Sequence, residues 1–269
     1  MSRIAAALAR RGLAGRPALI CFLTVGYPAL AETVPLAEAV LRGGADLLEL
    51  GIPFSDPLAD GATIQRSSQV ALRAGVTPGD AIACVRHLRT RGCQAPLLLM
   101  GYYNPILSYG PERFCDDLAD AGGDGLIIPD LPPEEAGDVR RACRRRRMDL
   151  IFMLAPTSTD ERIERVVREA SGFIYCVSLA GVTGSRAQLS DSLPAFLQRV
   201  RQRTHLPLAV GFGISSRRQV EELAPLADGV VVGSALLDRL ESAPAGGEAA
   251  TLEDFVRELA GVAAARSNA

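Results

Sequence analysis

Residues 48–65, LELGIPFSDPLADGATIQ, decide how this chain is read. They open inside an apolar run, Leu47-Leu48-Glu49-Leu50, that shows no polar alternation. That is the pattern of a short strand covered on both faces, as in a parallel sheet. A Gly/Pro-rich loop follows, holding Asp56 and Asp60, and then a helical pattern over 62–70. Working outward, further strand-like runs stand at 19–24, 97–101, 125–129, 150–154, 173–178, 208–211 and 229–233, making eight in all. Helical patterns lie between most of them, for example over 34–41, 133–146 and 163–169. Eight strand–helix units predict a single (β/α)8 TIM barrel over 1–269, an α/β fold, with a doubly wound open sheet as the alternative. The Ala-rich start predicts an extra short N-terminal helix. Residues 241–250 read as a linker to a final helix over 251–264.

Composition narrows the chemistry. Hydrophobic residues make up 48% of the chain, enough for a sizeable core, and 29 basic against 31 acidic residues leave a net charge of −2. No whole-protein field draws this chain to nucleic acid or to an anionic membrane. The basic run 144–147 reads as a solvated helix face. No signal-peptide pattern and no apolar segment of spanning length stand out, so a cytoplasmic protein is expected. The six cysteines are scattered and there are two histidines, so neither a disulfide framework nor a metal site is expected. Every basic residue is arginine. Without lysine there is no Schiff-base nucleophile, no internal pyridoxal phosphate linkage and no P-loop. Carbon–carbon chemistry here must run on carboxylates, hydroxyls and backbone amides.

In a barrel of this kind the site lies at the C-terminal ends of the strands. Glu49 and Asp60 fall there and read as an acid/base pair. A carboxyl in an apolar pocket is held protonated near neutrality, while a more polar one stays ionised to stabilise positive charge. The plainer alternatives are a buried ion pair with an arginine for Glu49, and an exposed acid or helix N-cap for Asp60. Asp56 would shape its loop or meet a partner, and Asp130 would bond backbone amides at a Pro-rich turn. Gly211-Phe212-Gly213, Gly233-Ser234 and Gly184 suit a phosphate, because glycine lets backbone amides approach an anion near a helix start. Tight turns needing glycine for geometry are the alternative. Phe22, Ile64, Met100, Tyr102, Ile127, Ile128, Tyr175 and Phe212 are either core or the walls of a pocket for a flat aromatic ligand. The long loop 180–191 is a candidate lid.

The same stretch closely resembles the signature of the tryptophan synthase alpha subunit family. So do GYYNPI at 101–106, GLIIPDLPPEE at 125–135, AGVTG at 180–184 and GFGIS at 211–215. Together they cover nearly the whole chain. The resemblance implies a (β/α)8 lyase that cleaves indole-3-glycerol phosphate to indole and glyceraldehyde 3-phosphate without a cofactor of its own. Pyridoxal phosphate would belong only to a partner beta subunit, in a complex of two alpha and two beta subunits. By motif, Glu49 would protonate the substituted indole carbon and share in removing the hydroxyl proton. Asp60 would hydrogen-bond the indole N–H, and Thr183 would position Asp60 on lid closure. Tyr175 would line the pocket, and Gly184, Gly213, Gly233 and Ser234 would hold the phosphate. Pro53, Asp56 and Asn104 would face the beta subunit. Leu179 departs from the polar or basic residue expected in many relatives, which bears on lid closure. A free-standing lyase releasing indole and a non-catalytic activator of a partner are the alternative functions.

Overall fold

A computed structural model describes residues 2–9, 16–178, 192–211 and 213–262. Eight strands form a closed barrel in sequence order: β1 (Ala18–Thr24), β2 (Leu47–Gly51), β3 (Leu97–Met100), β4 (Gly125–Ile127), β5 (Asp149–Leu154), β6 (Ile174–Val177), β7 (Leu208–Gly211) and β8 (Gly229–Val232). All neighbours run parallel, and β8 returns to β1 through Ala18 opposite Gly229. The eight expected strands are therefore all present, and the open-sheet alternative is not what forms.

Twelve helices are found among the described residues. They are α1 (Arg3–Ala9), α2 (Thr33–Gly43), α3 (Ala62–Arg73), α4 (Pro78–Thr90), α5 (Tyr103–Tyr109), α6 (Pro111–Asp120), α7 (Gly137–Arg145), α8 (Asp160–Glu169), α9 (Leu193–Arg201), α10 (Arg217–Leu223), α11 (Ser234–Glu241) and α12 (Glu248–Ala260). None is long and apolar enough to cross a membrane. Several boundaries differ from the sequence reading by a few residues, and three of them have a visible cause. The helix expected from 133 begins at Gly137, because Glu135 and Ala136 donate instead to the carbonyls of Pro132 and Pro133 in turns. The final helix is α12, shifted toward the N-terminus and closed by Gly261 in the left-handed region (φ 67°). The expected linker shrinks to 242–247, since α11 runs through Glu241.

Strand alternation divides the core in two. Odd-facing residues such as Leu48, Leu50, Leu97 and Leu99 pack outward under the helices, whereas Ile20, Leu47, Leu98, Ile127, Ile151, Phe173, Ala209 and Val231 fill the barrel. The N-terminal helix joins this inner group through Ile4, Ala7 and Leu8 and closes the bottom of the barrel. The lack of a side chain at Gly125 and Gly229, which open β4 and β8, makes room for Ile4 and Leu8.

The bottom also carries a fourfold repeat of one bonding pattern. Leu19 N–H donates to Asp46 Oδ2 (2.8 Å) while Asp46 N–H donates to Leu19 O (2.8 Å). Leu97 with Asp124, Leu150 with Ser171 and Leu208 with Asp228 make the same reciprocal pair. Each pair ties the start of an odd strand to the residue before or near the next even strand. Arg16, Arg89 and Arg201 neutralise Asp46, Asp124 and Asp228.

Candidate active site

Glu49 shares the inward face of β2 with Leu47 and stands beside Phe22 of β1 and Leu98 of β3 in register. It is fully buried, and among the described residues neither carboxyl oxygen has a hydrogen-bond partner. An ionised carboxylate here loses its water and regains nothing, so burial pushes the carboxyl up to about 8. The ion pair with arginine does not form among the described residues. A proton carrier that is neutral at physiological pH is what this environment makes of Glu49.

Asp60 lies at the end of the loop that leaves β2. Its N–H donates to Pro57 O (3.1 Å), and Gln65 Nε2 donates to its carbonyl (2.9 Å). The N-cap of α3 is Gly61, and no side chain caps that helix. The Asp60 carboxyl is therefore free of the capping role, and it is half-buried. Burial pushes it up to about 6, opposed by a hydrogen bond from Tyr102. Near neutrality Asp60 is mostly ionised and Glu49 mostly protonated. Burial, and after it the nearby Glu49 and Asp60 carboxyls, push the Tyr175 hydroxyl well above its ordinary range, which places all three in one neighbourhood.

Phe22, Ile64, Met100 and Tyr102 line one cleft together with Asp60. Gly51, Ile52, Ser68 and Gly101 also line it and were not singled out in the sequence. Ser68 was legible in principle, one helical turn after Ile64 on the same face of α3. Gly51 matters by what it lacks: a Cβ there would collide with the Phe22 ring. Gly211, at the end of β7, clears the Tyr175 hydroxyl in the same way. Tyr175 faces the barrel interior, tilted against Phe173 at 6.5 Å, and does not line the cleft itself. Ile127 and Ile128 separate, the first into the barrel interior and the second into the outer core.

Of the phosphate candidates, Gly213 adopts φ +84° with open space where a Cβ would stand. Gly233 is the N-cap of α11, Ser234 is its first residue, and no side chain caps it. Its first amides are thus open to an anion. Thr63 Oγ1 donates to Asp238 Oδ1 (2.9 Å) and Arg66 pairs with Glu241 (2.9 Å), joining α3 to α11. Phe212, Thr183, Gly184, Leu179 and the loop 180–191 lie outside the described residues. Asp130 Oδ1 accepts from Tyr103 N–H (2.9 Å), the backbone role expected of it. Asp56 and Asn104 are exposed, but Pro53 is buried, so it shapes the loop and offers no free surface. The exposed apolar residues nearby are Leu58 (94%) and Leu107 (52%).

Comparison with known proteins agrees with this geometry. A profile of the family described as Tryptophan synthase alpha chain matches residues 8–264. The alpha chain of Roseiflexus sp. (strain RS-1) is 57% identical over 261 residues, covering 97% of this chain and 100% of that one. The alpha chain of Chloroflexus aurantiacus is 54% identical over 259 residues, covering 96% and 97%. Among solved structures, tryptophan synthase from Mycobacterium tuberculosis is similar at a TM-score of 0.89 and 40% identity, covering 97% of this chain and 98% of that one. Tryptophan synthase subunit alpha from Legionella pneumophila gives 0.88 and 35%, with the same coverage.

Proposed function

The chain belongs to the tryptophan synthase alpha chain family, and from that premise we propose how its residues carry the reaction. The protein is a lyase that cleaves indole-3-glycerol phosphate to indole and glyceraldehyde 3-phosphate in tryptophan biosynthesis. The substrate's phosphate sits against the backbone of Gly213 and Gly233 and the Ser234 hydroxyl, with Gly184 a further contact implied by the family motif alone. Its ring lies among Phe22, Ile64, Met100 and Tyr102. Neutral Glu49 gives its proton to the ring carbon that bears the glycerol chain. The ring becomes cationic, and the Asp60 carboxylate, bonded to the ring N–H, stabilises it. Glu49, now a carboxylate, takes the proton of the adjacent hydroxyl. The carbon–carbon bond breaks, its electrons return to the ring, and indole and the aldehyde leave with Glu49 protonated as at the start. No Schiff base, metal or other cofactor enters these steps.

The observation that carries this reading is the pairing of a fully buried, unpartnered Glu49 with a half-buried Asp60, which burial separates to about 8 and about 6. The partner is a beta subunit, holding pyridoxal phosphate, in a complex of two alpha and two beta subunits in the cytoplasm. Exposed Leu58 and Leu107 support this, because they lie beside Asp56 and Asn104 on two segments joined by the Phe54–Tyr102 ring stack (5.1 Å). Large exposed apolar side chains grouped beside a functional loop mark a contact surface. The test is steady-state indole release by wild type and Glu49→Gln, each with and without the cognate beta subunit. Wild type is expected to be stimulated by the partner, and the variant to lose at least about a hundredfold in both settings. Retention of a tenth of wild-type kcat would remove Glu49 from the proton transfers. Equal rates with and without the partner would make the chain a free-standing lyase.

A further inference from the structure

Asp60 is on a loop, yet its task demands a carboxylate fixed to a fraction of an ångström. Its α3 helix offers no capping bond to hold the side chain. What does hold it comes from a different strand. Tyr102 follows directly on β3 and Gly101, and its ring is 5% exposed. The ring stacks on Phe54 at 5.1 Å and 27°. Its Oη accepts from Ala59 N–H at 2.9 Å, the residue immediately before Asp60. The hydroxyl keeps its own proton to donate, and the Asp60 carboxyl is the acceptor beside it. One phenol thus grips the loop backbone and the loop's functional side chain at once.

We infer that Tyr102 is a positioning residue, holding the Asp60 carboxylate at the cleft through its hydroxyl, beyond any part its ring plays as a wall. This rests on the proposed role of Asp60. The hydrogen bond favours the ionised form of Asp60, against the burial that disfavours it. The other titratable groups in this neighbourhood are Glu49 and Tyr175, both neutral near pH 7, and Asp130, whose charge acts on Tyr102. None of them supplies Asp60 with a second donor among the described residues.

The experiment is a cycle of Tyr102→Phe, Asp60→Asn and the double variant in the complex with the beta subunit, measuring kcat, KM and the pH dependence of kcat/KM for indole-3-glycerol phosphate. Phenylalanine keeps the ring and its stack. Tyr102→Phe is expected to lower kcat about tenfold, the worth of a hydrogen bond to a charged group, with KM little changed. The acid limb of the profile should move to higher pH, since Asp60 loses the bond that favours its ionised form. In the Asp60→Asn background the same change should do almost nothing. A raised KM, an unmoved acid limb and the same loss in both backgrounds would reduce Tyr102 to a pocket wall. If Asp60→Asn alone left kcat unchanged, the role of Asp60 would fail first, separately from that of Tyr102. A thermal melt of each variant identifies any loss due to unfolding.

Discussion

Glu49 is costly to the fold in a way that has a definite sign. Its folded value of about 8 stands above the ordinary 4.5. The folded protein therefore holds a proton that the unfolded chain has released between those values. The neutral carboxyl is tolerated fully below pH 4.5, and stability is lost as pH rises through 8. Glu49→Gln removes this dependence. Denaturant unfolding from pH 5 to 9 should show the variant gaining on wild type as pH rises, by on the order of a few kcal/mol at the top of the range. A difference that does not change with pH would mean that Glu49 is not buried as a neutral acid. At this scale the sequence was informative where a residue type contradicts its surroundings: a carboxylate in an apolar strand advertises itself. It was silent on partners. Nothing in 48–65 says that Gly61, not Asp60, takes the cap of α3, or that Tyr102, some forty residues on, bonds Ala59. Those facts depend on how loops close in space.

Elements were legible in proportion to their burial. Each strand, packed against the barrel interior on one side and helices on the other, is an apolar run, interrupted inside only at Glu49 of β2, and all eight were visible. The start of α7 was not, because Pro132 and Pro133 set up turns whose residues share the polarity of a helix N-terminus. The four reciprocal bonds at the barrel bottom were also hidden. The residues at those positions, three aspartates and a serine, lie scattered along the chain, and only the barrel brings them into equivalence. The opposite end carries the proposed substrate site. Glycerol phosphate should raise the melting temperature of wild type by mass action on a preformed site. Gly213→Asp, which sets a negative charge into the open space beside Gly213, should abolish that shift. Gly213→Ala shares the strain of φ +84° without the charge, and should keep part of it. Equal protection of all three proteins would show that the turn after β7 does not hold the phosphate.

The whole molecule divides its labour along the barrel axis. The bottom is closed by α1 and tied by Arg–Asp pairs to strand starts, which serves stability. The top is cleared by Gly51 and Gly211 and lined by groups whose proton affinities are pushed apart. The proposed mechanism requires a protonated Glu49 and an ionised Asp60 at the same time. The most direct measurement is the pH profile of kcat/KM for indole-3-glycerol phosphate cleavage by the wild-type chain in complex with its beta subunit. The expected profile is a bell, rising through about 6 as Asp60 ionises and falling through about 8 as Glu49 loses its proton. A profile that climbs and stays level beyond pH 9 would contradict it, because Glu49 would then be acting without a proton to give.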